Sequence, residues 1–118
     1  MHRPNVAFAL LTLWMATSPL VAQEAVRHLT QEEAVKAAIA KPQPEYPSMA
    51  RQLRLQGRVE VEISISPTGS VDNAKILTGN PALTGAAANA VKRWRFEPFT
   101  ADGQPVRAVA VISFSFKL

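Results

Sequence analysis

Ala90-Val91-Lys92-Arg93-Trp94-Arg95-Phe96-Glu97-Pro98 is the run on which the fold turns. It joins the end of a helix, with Ala87, Val91 and Trp94 on one face, to an aromatic strand over residues 95–99. The alanines of the helix suit close approach to a sheet. The sheet is legible on both sides of this run. Upstream, Val59, Val61, Ile63 and Ile65 alternate with Arg58, Glu60, Glu62 and Ser64, a period of two that sets one face on a core and the other in water. Pro67-Thr68-Gly69 supplies a turn, and residues 71–77 return as the second arm of a hairpin. Residues 78–81 read as loop, and the helix is expected over 84–94.

Downstream, residues 100–105 contain Asp102-Gly103 and read as a turn. The last strand is expected over 106–118. Ala110, Ile112, Phe114, Phe116 and Leu118 share one face, and Arg107, Ser113, Ser115 and Lys117 the other, with Val109 and Val111 among them. Further upstream, three prolines within residues 42–47 exclude a regular helix and favour extended backbone. Pro47 can open a helix over 48–55, with Gly57 as its C-terminal stop. The element order is α-β-β-α-β, with a further β at the end. It implies an α+β fold: an antiparallel sheet of three to four strands with two helices packed on one face.

The N-terminus divides off. Residues 1–5 carry Arg3, residues 6–16 are apolar apart from Thr12, and Leu20-Val21-Ala22 precedes Gln23. A basic start, an apolar stretch and a small residue describe a signal peptide over 1–22, with cleavage expected after Ala22. The alternative is an N-terminal membrane anchor, although residues 6–22 are short for a span of roughly 20 residues. Residues 23–41 then form a short helical extension. Thr30-Gln31-Glu32-Glu33 reads as a capping box, and a helix is expected over 30–40. Residues 42–118 form the domain.

Composition narrows the function. The chain has 13 Lys+Arg, 9 Asp+Glu and no cysteine, which excludes disulfides and thiolate metal sites. The densest basic cluster, Lys92-Arg93 with Arg95, reads as a solvated helix end rather than a nucleic-acid footprint. No histidine lies within 42–118, so a hydroxyl nucleophile there would lack its usual base. Glu60 and Glu62 share a strand face but belong with solvent and neighbouring cations. No metal-ligand spacing and no phosphate-binding glycine loop is present. An enzyme is not expected, and neither is a cofactor. Binding remains, and the long last strand offers the best surface, because a sheet edge presents unpaired N–H and C=O groups to an extended peptide.

Tyr46-Pro47, Arg54-Leu55-Gln56-Gly57, the strand over 59–65, Gly69-Ser70-Val71-Asp72-Asn73 and Trp94-Arg95-Phe96-Glu97-Pro98 occur in an order that resembles the C-terminal domain of the TonB family. The resemblance covers about two thirds of the chain. It implies a periplasmic domain that recognises the TonB box, a short segment of an outer-membrane transporter, by edge-strand addition. It also implies partner-binding positions: Gln43, Pro44 and Glu45 as a clamp, Arg54 on the first helix, and Val109, Val111 and Ser113 on the edge strand. Tyr46 and Trp94 are expected to pack the core. If residues 1–22 are retained, the same resemblance implies an energy transducer coupled to inner-membrane motor proteins. A third reading is an envelope scaffold in which the last strand makes a homodimer. The stretch between residue 22 and the domain is too short to reach across a periplasm, which sets the transducer reading behind that of a peptide-binding module.

Overall fold

The computed structural model describes residues 25–118; the segment read as signal peptide or anchor lies outside the described residues. In chain order the elements are β1 (Val26–Leu29), α1 (Gln31–Ala37), β2 (Ala38–Ala40), α2 (Ser48–Gln52), β3 (Gly57–Ile65), β4 (Val71–Thr78), α3 (Pro81–Lys92), β5 (Arg95–Phe96), β6 (Thr100–Ala101), β7 (Gln104–Pro105) and β8 (Arg107–Phe116). The main sheet has four strands in the order β1-β8-β3-β4. β3 pairs antiparallel with both β4 and β8, and β1 adds parallel to β8. The fold is thus α+β, with an antiparallel three-stranded centre. The fourth strand comes from the N-terminal extension rather than from residues 95–99, of which only two are extended, paired with β2.

The core lies where the alternation put it. Val59, Val61, Ile63 and Ile65 of β3 and Ala108, Ala110, Ile112, Phe114 and Phe116 of β8 are buried against Ala34 of α1, Ala50 of α2 and Leu83, Ala87 and Val91 of α3. Each large aliphatic side chain so buried contributes roughly 1.5–3 kcal/mol. Trp94 closes this layer, edge-on to Phe114 at 5.8 Å between centroids and tilted against Phe96 at 6.1 Å. Leu118, expected on the inner face, lies beyond the end of β8 and is exposed.

Local chemistry sets the element ends. Thr30 caps α1: its hydroxyl accepts from the Glu33 N–H, and the Glu33 side chain returns to the Thr30 N–H. This helix stops at Ala37, earlier than expected, because residues 38–40 are taken up by pairing with β5. α2 stops at Gln52. Arg54 turns the chain at φ +53°, so Gly57 opens β3 instead of ending the helix. α3 starts at Pro81, three residues before the expected start, because Asn80 caps it by accepting from the Ala82 N–H. Gly69 is required: at φ +90° its position leaves no room for a Cβ, which would fall 2.0 Å from the Phe96 carbonyl oxygen. Its own carbonyl accepts from the Phe96 N–H at 2.8 Å, tying the β3–β4 turn to β5.

Candidate peptide-docking edge

The outer edge of β8 is the surface the sequence singled out, and its polarity follows from two hydrogen bonds. The Ser113 N–H donates to Gln31 Oε1 at 3.3 Å, and the Ser113 carbonyl accepts from Gln31 Nε2 at 3.4 Å. Both main-chain groups of Ser113 therefore point away from β3. Backbone groups alternate in an antiparallel ladder, and the β3–β8 register runs without a bulge from Gly57↔Phe116 to Ile65↔Ala108. The same parity turns Arg107, Val109, Val111 and Ser115 to the outer edge, and Ala108, Ala110, Ile112 and Phe114 to β3.

Three stretches of this edge differ. Along Arg107 to Ala110 it is occupied by β1, in the register Val26↔Arg107, Arg27↔Ala108, His28↔Val109 and Leu29↔Ala110. At Ser113 the Gln31 side chain covers it. From Ser113 to Lys117 it borders a groove of about 220 Å³ whose other wall is Gln43, Pro44 and Tyr46. That wall is fixed from beneath. The Trp94 Nε1–H donates to the Pro42 carbonyl at 3.0 Å, the Tyr46 hydroxyl donates to the Leu55 carbonyl, and the Tyr46 ring stands edge-on to Phe116 at 5.5 Å. The two aromatics expected to pack the core thus also hold the extended segment beside the strand.

Three of the residues singled out from the sequence, Gln43, Pro44 and Ser113, line this groove, and a fourth, Val111, lies on the same edge just outside it. Gln43 and Pro44 form the wall that faces the strand. Val109 is on the same edge but paired with His28. Glu45 turns the other way, into grooves shared with Arg51 and Gln52 on one side and with Asn89 and Arg93 on the other. Arg54 is exposed in the turn after α2, not on that helix, and lines none of these grooves. Reading from the sequence missed Gln31, Ser115 and Lys117. Strand parity would have given Ser115, whereas the contact of Gln31 with a residue 82 positions away has no local signal.

Comparison with known proteins decides the family. Residues 42–118 match the family described as Gram-negative bacterial TonB protein C-terminal. The chain belongs to this TonB C-terminal family. It is similar to protein TonB of Escherichia coli K12, with 39% identity over 83 residues covering 69% of this chain and 33% of that protein. Similarity to protein TonB of Vibrio cholerae is 37% over 81 residues, covering 67% of this chain and 33% of that protein. The chain thus spans about a third of the length of these TonB relatives. The solution NMR structure of the Pseudomonas aeruginosa TonB C-terminal domain superposes with a TM-score of 0.59 at 31% identity, covering 69% of this chain and 84% of that one.

Proposed function

We propose that this chain is a TonB-type protein-binding module of the cell envelope, exposed to the periplasm, that takes part in energy-dependent transport across the outer membrane. It grips an extended segment of an outer-membrane transporter, added as a strand to the outer edge of β8 beside the segment 43–46. The observation that carries this reading is the parity of β8. Its outward N–H and C=O groups line one side of a groove whose other wall is held by Trp94 and Tyr46. Strand addition draws affinity from main-chain bonds and specificity from alternate side chains, so one edge can serve partners of differing sequence. The export reading of residues 1–22 belongs with this proposal.

The test is a titration of the ¹⁵N-labelled protein with a synthetic peptide carrying the N-terminal coupling segment of such a transporter. Amide shifts are expected at 109–117 and 43–46. Shifts confined to the free edge of β4, or none at millimolar peptide, would overturn the reading.

A further inference from the structure

We infer that residues 26–31 of the chain are a built-in competitor for the partner segment: β1 and Gln31 hold the docking edge closed until an incoming strand displaces them. This rests on the reading of β8 as the docking edge, and deepens it by naming what regulates the site and what chemistry the incoming strand carries.

Three features make residues 26–31 resemble a bound ligand more than a structural strand. β1 is only four residues long and pairs parallel, the less stable pairing per residue. Three of its four residues are exposed, so it covers little apolar surface. Among the described residues its tertiary side-chain contacts are few. Arg27 stacks over the Phe99 ring at 5.9 Å and donates to the Thr100 carbonyl at 3.3 Å, while Leu29 packs against the rim of the core. Gln31 then imitates one further strand residue by satisfying both main-chain groups of Ser113 with its amide. Segments with few buried contacts open locally at low cost.

The same contacts describe what replaces them. A partner strand entering at Arg107–Ala110 runs parallel to β8. Where Leu29 now sits it presents an apolar side chain. Two residues earlier it presents a long cationic or apolar one, able to lie on Phe99. Its intervening residues face the open side of the sheet and are unconstrained. Entry begins at the groove beside Gln43 and Pro44, where β1 does not reach, and proceeds by displacing Gln31 and then β1. Apparent affinity is the intrinsic affinity scaled by the fraction of chains with the edge open.

Parity supplies the controls. Because Arg107 and Val109 turn their main-chain groups outward, Arg27 and Leu29 face β8 with their N–H groups and His28 faces away. Arg27→Pro therefore breaks the pairing, while His28→Pro leaves it intact. A lock comes from His28→Cys with Val109→Cys in this cysteine-free chain. The two residues are paired on neighbouring strands, within the reach of a disulfide. Two probes are titrated against the whole chain: the transporter peptide, and a synthetic Ala25-Val26-Arg27-His28-Leu29-Thr30-Gln31 added in trans.

Arg27→Pro is expected to bind both probes about 10- to 100-fold more tightly than the unmodified chain, which corresponds to an edge closed about 90–99% of the time. His28→Pro should stay within about twofold of the unmodified chain. The oxidised cysteine pair should bind neither probe, and reduction should restore binding. Equal affinity of Arg27→Pro and the unmodified chain, or of the oxidised and reduced forms, would overturn the inference. If the transporter peptide binds every form equally, the docking proposal survives and the competitor fails. If only the peptide of residues 25–31 binds, and binds Arg27→Pro more tightly, the competitor stands and the proposed partner falls. If neither peptide binds any form, both fall.

Discussion

Val111→Pro and Ile112→Pro form a pair that tests the orientation of the docking edge, since neighbouring residues of one strand should respond in opposite ways. Val111 is 37% exposed and its N–H points outward by the parity that Ser113 fixes. Proline there removes no bond to β3; it removes only the last bond of the parallel β1–β8 ladder, from the Val111 N–H to the Leu29 carbonyl. The expected loss of folding stability is at most about 1 kcal/mol. A docked peptide, however, loses one main-chain bond, a net of about 0.5–1.5 kcal/mol. At 1.4 kcal/mol per decade this is roughly a 2- to 12-fold rise in Kd. Ile112 is 1% exposed, paired with Val61, and its N–H points into the sheet. Proline at that position removes a central ladder bond and part of a buried side chain, a loss of about 3 kcal/mol or more. Against a typical total of about 5–15 kcal/mol, that is a large share of the fold. Urea unfolding followed by circular dichroism gives the stability term, and calorimetric titration of the transporter peptide gives the binding term. If Val111→Pro unfolds as readily as Ile112→Pro, the parity is reversed and the outer edge has been misassigned. If Val111→Pro made together with Arg27→Pro, where β1 is already released, keeps its fold and binds peptide within twofold of Arg27→Pro alone, β8 is not the line of docking.

Three further substitutions probe the supports of this edge. Trp94→Phe deletes the donor to the Pro42 carbonyl and should lower stability by about 1 kcal/mol, with faster hydrogen exchange at 43–46 and weaker peptide binding; unchanged exchange there would mean that the wall is held by other contacts. Gly69→Ala should cost at least about 2 kcal/mol, from an unfavourable φ and a backbone collision that parts β5 from the β3–β4 turn; a melting temperature within a degree of the unmodified protein would refute it. Thr30→Ala removes the cap of α1, worth about 1 kcal/mol, and should speed exchange over residues 26–37 while leaving the global unfolding midpoint nearly unmoved; a global loss of that size would show that the extension and the domain unfold as one unit.

The legible parts of this chain are those where a face is set by local period. The alternation in β3 and β8 placed their inner residues up to Phe116, though not Leu118, because one buried face dictates every second side chain, and the stripe of Ala87, Val91 and Trp94 placed α3 against them. The start of α3 is legible as well, in Asn80-Pro81, a cap followed by a proline at the first helical turn and a stronger local signal than the periodicity that points to residue 84. The end of α2 was not legible, since the turn there is made by Arg54 at positive φ, a conformation that few non-glycine residues adopt, and the visible Gly57 misled. At the site, period two puts Val109, Val111 and Ser113 on one face; that their main-chain groups turn to the outer edge comes from the bonds of Ser113 to Gln31, which the sequence does not show. What occupies the edge is not legible either, because β1 meets β8 across some 80 positions of sequence and a four-residue strand with three exposed residues carries no amphipathic signature.

The placement of β1 outside the matched region gives that long-range pairing a meaning. β8 is ten residues long, with Val109 and Val111 on its open face and five residues turned to its outer edge. A bare strand of this length is a template for aggregation, and proteins blunt such edges with short strands, charge or cover. Here the cover is partial. β1 takes Arg107 to Ala110, with the Val111 N–H as the last donor of that parallel ladder, and Gln31 takes Ser113, so that among the described residues Ser115 is left beside the wall of Gln43 and Pro44. Cover built into the domain core would protect as well but could not yield to a partner. Cover supplied by β1 and Gln31, ahead of the family match at 42–118, touches the core only through Leu29 and is the part proposed to yield to a partner. Changes within 26–31 should therefore tune peptide affinity while leaving the stability of the domain constant, and a series of such variants in which affinity and unfolding midpoint moved together would tie the strand to the core instead.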